Sequence, residues 1–143
     1  MPEAPFSRSI PPEAAAKLEG LVEAARAARE HAYAPYSGFQ VGAAVLAGGR
    51  VYTGANVENV ASPLGLCAER AATAAAITAG ERRIDATAIV TDATEPTSPC
   101  GGCRQVLWEF GPESIVVSHT LAGTRAMWAL EDLLPAAFAL PGR

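Results

Sequence analysis

Two late runs, RIDATAIVTD and SIVVSHT, are short, rich in β-branched residues, and each preceded by a stretch that reads as a helix. The first follows GLCAERAATAAAITAG and the second follows CGGCRQVLWEFG. Strands separated by helices pair through crossovers, which cover both faces of a sheet. Upstream, FQVGAAVLAGGRVYTGANVEN sets two β-prone runs around Gly48-Gly49, a turn pair that tolerates positive φ. PEAAAKLEGLVEAARAAREHAY before it has helical spacing and must end by Pro35. TRAMWAL reads as a last short strand and EDLLPAAF as a short helix. The order predicts an α/β fold: a three-layer α-β-α sandwich on a mixed, mostly parallel sheet of about five strands, with an antiparallel hairpin at one end.

The chain has 143 residues, half of them hydrophobic, which suits one domain with a full core. Residues 1–12 are proline-rich and read as a loose segment; residues 13–143 read as a single domain. A net charge of -4 argues against a nucleic-acid partner, because such proteins present a basic face. A small neutral ligand stays open. No apolar stretch is long enough to span a bilayer, and the start lacks the apolar core of a secretory signal. The three cysteines are an odd number, which fits a disulfide scaffold poorly. The expectation is a cytoplasmic protein, with no membrane partner, whose thiols stay reduced.

Those cysteines, Cys67, Cys100 and Cys103, stand at the starts of the two inner helices. The helix dipole and unpartnered backbone N–H groups favour thiolates there. A C-x-x-C at a helix start lets both sulfurs reach one ion. A third thiolate from a second helix start gives a set whose softness suits zinc. A closed structural site would need a fourth ligand, and the available histidines, His31 and His119, lack the usual short pairing with a cysteine. A site with an open fourth position would hold a water whose pKa zinc lowers to about 7. A redox C-x-x-C would leave Cys67 idle.

An open site needs a proton acceptor, and Glu69 in C-A-E is the candidate. Residues two apart do not normally share a helix face, although a long side chain in the first turn can curl back. The plainer alternative is an acid stabilising the helix dipole. Three thiolates and one zinc carry about one net negative charge, which a guanidinium on a ligand sulfur would offset. Arg70 could supply it, or could be a solvated helix residue. In NVE, Asn56 and Glu58 point to the same face of a strand with Val57 opposite. An amide and a carboxylate together suit vicinal hydroxyls, and a polar solvent face would read the same way. Phe39 by itself reads as core.

Five segments in order, YAPYSGFQVGAA, GANVEN, PLGLCAER, SPCGGCRQV and LLPAAF, carry a resemblance to the small, homotetrameric, zinc-dependent cytidine deaminases, from about Ala14 to Phe138. The resemblance implies hydrolytic deamination of cytidine and 2′-deoxycytidine to the uridines, with release of ammonia, in pyrimidine salvage. It implies one Zn2+ per chain on Cys67, Cys100 and Cys103, Glu69 as proton shuttle, and Arg70 neutralising ligand charge. It places Asn56 and Glu58 at the ribose hydroxyls and Phe39 in the pocket wall. Ala68 and Ser98 would hold the pyrimidine and its amino group through backbone atoms. Phe138 would enter a neighbouring subunit's site.

Departures from the family pattern fall at Val60, where a smaller residue is common, and at Ser62, where an aromatic is common. Both positions contribute to neighbouring subunits in the family. Ala55 stands where the family often has a cysteine. Rival readings are a related deaminase of another cytosine nucleoside, of the blasticidin type, and a zinc-binding module without catalysis. Nucleotide and polynucleotide deaminases typically carry H-x-E instead of C-x-E.

Overall fold

The computed structural model describes residues 12–142. The loose segment expected over residues 1–12 therefore lies outside the described residues except for Pro12, which opens the first helix. The elements are α1 (Pro12–Arg29), β1 (Gly42–Ala47), β2 (Arg50–Ala55), α2 (Ala68–Thr78), β3 (Ala86–Thr91), α3 (Gly101–Phe110), β4 (Ile115–Thr120), β5 (Arg125–Ala129) and α4 (Leu130–Leu133), with a short 3-10 turn at Ser62–Leu64. The hairpin turns at Gly48 and Gly49, with φ of 58° and 75°, values that favour glycine.

One five-stranded sheet runs in the order β2-β1-β3-β4-β5. It is mixed, as expected, but it is not mostly parallel. Only β3 and β4 pair in parallel, while β1–β2, β1–β3 and β4–β5 are antiparallel. Both crossovers behave as alternation predicts, since β2, β3 and β4 all run the same way. The hairpin strand β1, however, inserts between β2 and β3 and reverses both neighbouring pairings.

Helices cover both faces. On α1, Leu18, Leu21, Val22 and Ala25 form a buried stripe at i, i+3, i+4 and i+7. They pack on Ala44, Ala86, Ala88, Val90 and Val117. On the other face Ala68, Ala72 and Ala76 of α2, with Leu107 of α3, meet Ala43, Val45, Ile89 and Val116. Successive residues of β1 and β3 thus feed opposite layers, which is why both strands are buried almost throughout. Small side chains let α2 lie close on β2. A Cβ on Gly54 would run into the backbone of Ala72 and Ala68. The carboxyl ends of β2 and β3, the start of β1, and the N-termini of α2 and α3 all meet at one edge. Ligands of α/β sheets collect at such an edge.

Candidate active site

Cys67 is the N-cap of α2 and Cys100 is the N-cap of α3, and neither side chain caps its helix. Their carbonyls accept the first helical bonds, from Ala71 and Arg104, at 3.0 and 2.9 Å. Both sulfurs are thus left free to point outward. Cys103 lies one turn into α3 and is buried. The three sulfurs lie within 4.8 Å of one another, and all three thiols are free. Tetrahedral zinc with bonds of ~2.3 Å holds its sulfurs about 3.8 Å apart, so the cluster needs little movement to close on one ion.

Glu69, the second residue of α2, is buried at 6% exposure, and its carboxyl bonds the Cys103 thiol. The two-residue spacing from Cys67 is therefore no obstacle: the carboxyl turns toward the other helix's cysteine. Burial raises its pKa above the ordinary carboxyl value. Burial also pushes the Cys103 thiol far up, reinforced by Glu69 and Cys67, and burial pushes Cys67 up as well. Burial works against ionised Cys100 too. There, however, hydrogen bonds from the Cys103 backbone and from the neighbouring thiols prevail and lower its pKa. Four acidic groups crowded into a half-buried corner cannot all ionise unless a cation joins them. The donor set and its spacing fit zinc.

The thiols open into a cleft of about 620 Å³, a volume suited to a small molecule. Cys67, Ala68, Glu69, Ser98 and Cys100 line it at the two helix starts; Phe39, Asn56 and Glu58 line it from the segments before β1 and after β2. Ala68 occupies the first position of α2, where a backbone N–H has no partner within the helix. Asn56 and Glu58 lie just beyond the end of β2, on an extended segment whose Val57 bridges Tyr33 and Leu66. Glu58 Oε1 accepts the Tyr36 and Ser37 N–H groups at 3.0 and 3.1 Å. Bonding to Ser37 and Tyr36 holds its carboxyl below the ordinary range. Asn56 Oδ1 accepts the Val41 N–H at 2.8 Å, and Asn56 Nδ2 donates to the Phe39 carbonyl at 2.7 Å.

Two expected site residues stand apart from this assembly. Arg70 is exposed and has no hydrogen bond or ion pair among the described residues, so the structure does not set it on a thiol. Phe138 is 72% exposed and does not line its own chain's cleft. Its carbonyl accepts a bond from Gln105 Nε2 at 3.1 Å, which ties the tail to α3. Val60 and Ser62, read as interface positions, also line the cleft mouth.

Arg104 carries a role that sequence reasoning missed. Its guanidinium donates to the Pro99 carbonyl at 2.7 Å, the Leu133 carbonyl at 2.8 Å and Ser98 Oγ at 3.0 Å. It thereby joins the turn before Cys100 to the end of α4. Only its place next to Cys103 could have flagged it. Thr97, bonded to Thr91 at 3.0 Å, also lines the cleft and carries no motif signal of its own.

A sandwich that gathers three thiols and a buried carboxyl at two helix starts, above an open cleft, defines a zinc-binding α/β protein that takes a small ligand. Residues 15–119 match the family described as the cytidine and deoxycytidylate deaminase zinc-binding region. The chain belongs to that family. It is 46% identical over 123 residues to a cytidine deaminase of Sporosarcina psychrophila, covering 85% of this chain and 90% of the relative. The crystal structure of cytidine deaminase from Burkholderia pseudomallei superposes with a TM-score of 0.81 at 48% identity, covering 84% of this chain and 98% of that one. The cytidine deaminase of Mycobacterium tuberculosis superposes with a TM-score of 0.75 at 43% identity, over 86% of this chain and 98% of that one.

Proposed function

We propose that this protein deaminates cytidine and 2′-deoxycytidine hydrolytically, giving uridine and 2′-deoxyuridine with release of ammonia. The observation that carries the reading is the buried Glu69 carboxyl beside three clustered thiols in a nucleoside-sized cleft. Cys67, Cys100 and Cys103 would hold one zinc per chain, which would supply a Lewis acid that makes water nucleophilic near neutral pH. The Glu69 carboxylate takes one proton from the attacking water and passes it to the pyrimidine ring nitrogen; it then takes the hydroxyl proton of the adduct and gives it to the departing amine, so that the C–O bond forms, the C–N bond breaks and ammonia leaves. The Ala68 N–H and the Ser98 carbonyl hold the base and its amino group, and Phe39 lies along the base. Asn56 and Glu58 take the ribose hydroxyls. Arg70 offsets the negative charge of the thiolate set.

The exposed Phe138, absent from its own cleft, supports a site shared between chains of a homotetramer. Residues 13–143 form the catalytic unit, and the role is pyrimidine salvage in the cytoplasm. The test is the loss of cytidine's ultraviolet absorbance with purified protein, with metal analysis of the same sample. Turnover at about one zinc per chain is expected. Full zinc with no turnover would leave a binding module. Hybrids of Glu69→Gln chains with chains cut after Pro135 should regain activity, and a fully active monomer would remove the shared site.

A further inference from the structure

The sugar end of the cleft rests on an unusual arrangement of bonds. Phe39 stands on a connection between α1 and β1 that has no regular structure over residues 37–41. Within that connection a single backbone bond closes a turn, Gly38 N–H to the Ala34 carbonyl at 2.9 Å. Phe39 N–H goes to Ser37 Oγ at 3.0 Å. The amides of Tyr36, Ser37 and Val41 all end on the side chains of Glu58 and Asn56, and the Phe39 carbonyl is taken by Asn56 as well. The segment bearing those side chains is itself held by Tyr33 and Val41, through Tyr33 N–H to the Asn56 carbonyl at 2.9 Å and Glu58 N–H to the Tyr33 carbonyl at 2.8 Å.

We propose that Glu58 and Asn56 are positioning residues for Phe39: they clasp the 36–41 loop and set the aromatic wall of the cleft, independently of any contact with a sugar. The inference rests on the reading of the cleft as a nucleoside site. The two side chains have spare capacity for a ligand. Oε1 of Glu58 accepts both amides and the Ser37 hydroxyl also bonds the carboxylate, yet a carboxylate offers about four acceptor sites, so capacity for a ligand remains. Oδ1 and one N–H of Asn56 are occupied, and the other N–H is free to donate. Loop holding thus leaves acceptor and donor capacity on the same residues for a hydroxyl. Removing Glu58 strands two amides at once and frees the loop that carries Phe39. The loss reaches ligands that have no hydroxyl for Glu58 to bind.

The experiment compares kcat/KM for cytidine and for 2′,3′-dideoxycytidine in the zinc-loaded wild type, Glu58→Ala and Glu58→Gln, with zinc content checked in each. Hydrogen exchange is followed at the Tyr36 and Ser37 amides. The clasp predicts that Glu58→Ala loses about tenfold or more on both nucleosides, given the usual worth of bonds to a charged acceptor. It predicts faster exchange at both amides. Glu58→Gln keeps an acceptor oxygen and should return the dideoxynucleoside to within about threefold of wild type. A Glu58→Ala loss confined to cytidine would overturn the clasp and leave the hydroxyl contact standing. Unchanged rates on both nucleosides would overturn both roles. If wild-type protein deaminates neither nucleoside, the catalytic reading fails, while unchanged amide exchange in Glu58→Ala is still enough to overturn the clasp.

Discussion

The two ends of the cleft are built on opposite plans. The thiol end sits on two helix starts that are packed against the sheet, with Cys103 and Ala68 fully buried and Glu69 nearly so. The sugar end is loop and strand overhang, where Tyr36 and Val57 are half-exposed and side-chain hydrogen bonds replace backbone ladders. A hydrolytic reaction needs its reacting groups held within tenths of an ångström, and secondary structure provides that. Recognition of a sugar tolerates more freedom, and a loop can open to admit the ligand. Damage at the first end should therefore abolish chemistry, and damage at the second should weaken binding.

The largest break is expected at Cys100. Cys100→Ala removes one of three thiols, so metal analysis should find zinc largely lost and activity gone, with a lower melting temperature. Glu69→Gln comes next and separates chemistry from metal holding. Zinc and fold should stay, and kcat should fall by about two to four orders of magnitude. A near-wild-type rate would return Glu69 to a dipole-stabilising acid.

Phe138→Ala tests the proposed sharing of the site between chains. It should raise KM about tenfold with zinc content unchanged, in line with a lost aromatic contact. An unchanged KM would detach the tail from the site.

Arg104→Ala bridges the two ends of the comparison, because it frees the turn before Cys100 from α4. Loss of charge-assisted bonds to carbonyls is worth about 1–3 kcal/mol, so melting should drop by several degrees, roughly 2–8 °C. KM should rise a few-fold through Ser98.

The smallest expected effect is acid release of the loop. The Glu58 pKa is depressed in the fold, so the ionised clasp is fully present above the ordinary glutamate pKa. It is lost only as pH falls through the lowered value. Protection of the Tyr36 and Ser37 amides should be flat from neutral pH to about 5.5. A decline within that window would mean that Glu58 is not the group holding them.

Much of the thiol end was legible before any coordinates. Cys67, Cys100 and Cys103 declare themselves by residue type and by their place at helix starts, since a soft metal demands thiolates and helix N-termini favour them. Asn56 and Glu58 declared a polar face through alternation, but their bonds to residues 36–41 did not show, because those partners lie 15 to 22 residues away in the chain. Arg104 and Arg70 illustrate the same limit. Both are arginines on a first helical turn, four and three residues after the cysteine that caps it. The fold gives one three carbonyl and hydroxyl partners and leaves the other in solvent.

By itself the sequence determined the local elements, the helix starts that carry the thiols, and the layers that α1, α2 and α3 must cover. Those follow from periodicity, turn chemistry and residue softness, which act over a few residues. Only the tertiary structure decided that β1 enters between β2 and β3, that the Glu69 carboxyl turns to Cys103, and that the 36–41 loop hangs on Glu58 and Asn56. Strand order and long-range hydrogen bonds depend on which buried surfaces and unpaired polar groups remain once the helices have packed. That sum is taken over the whole chain, and no short stretch contains it.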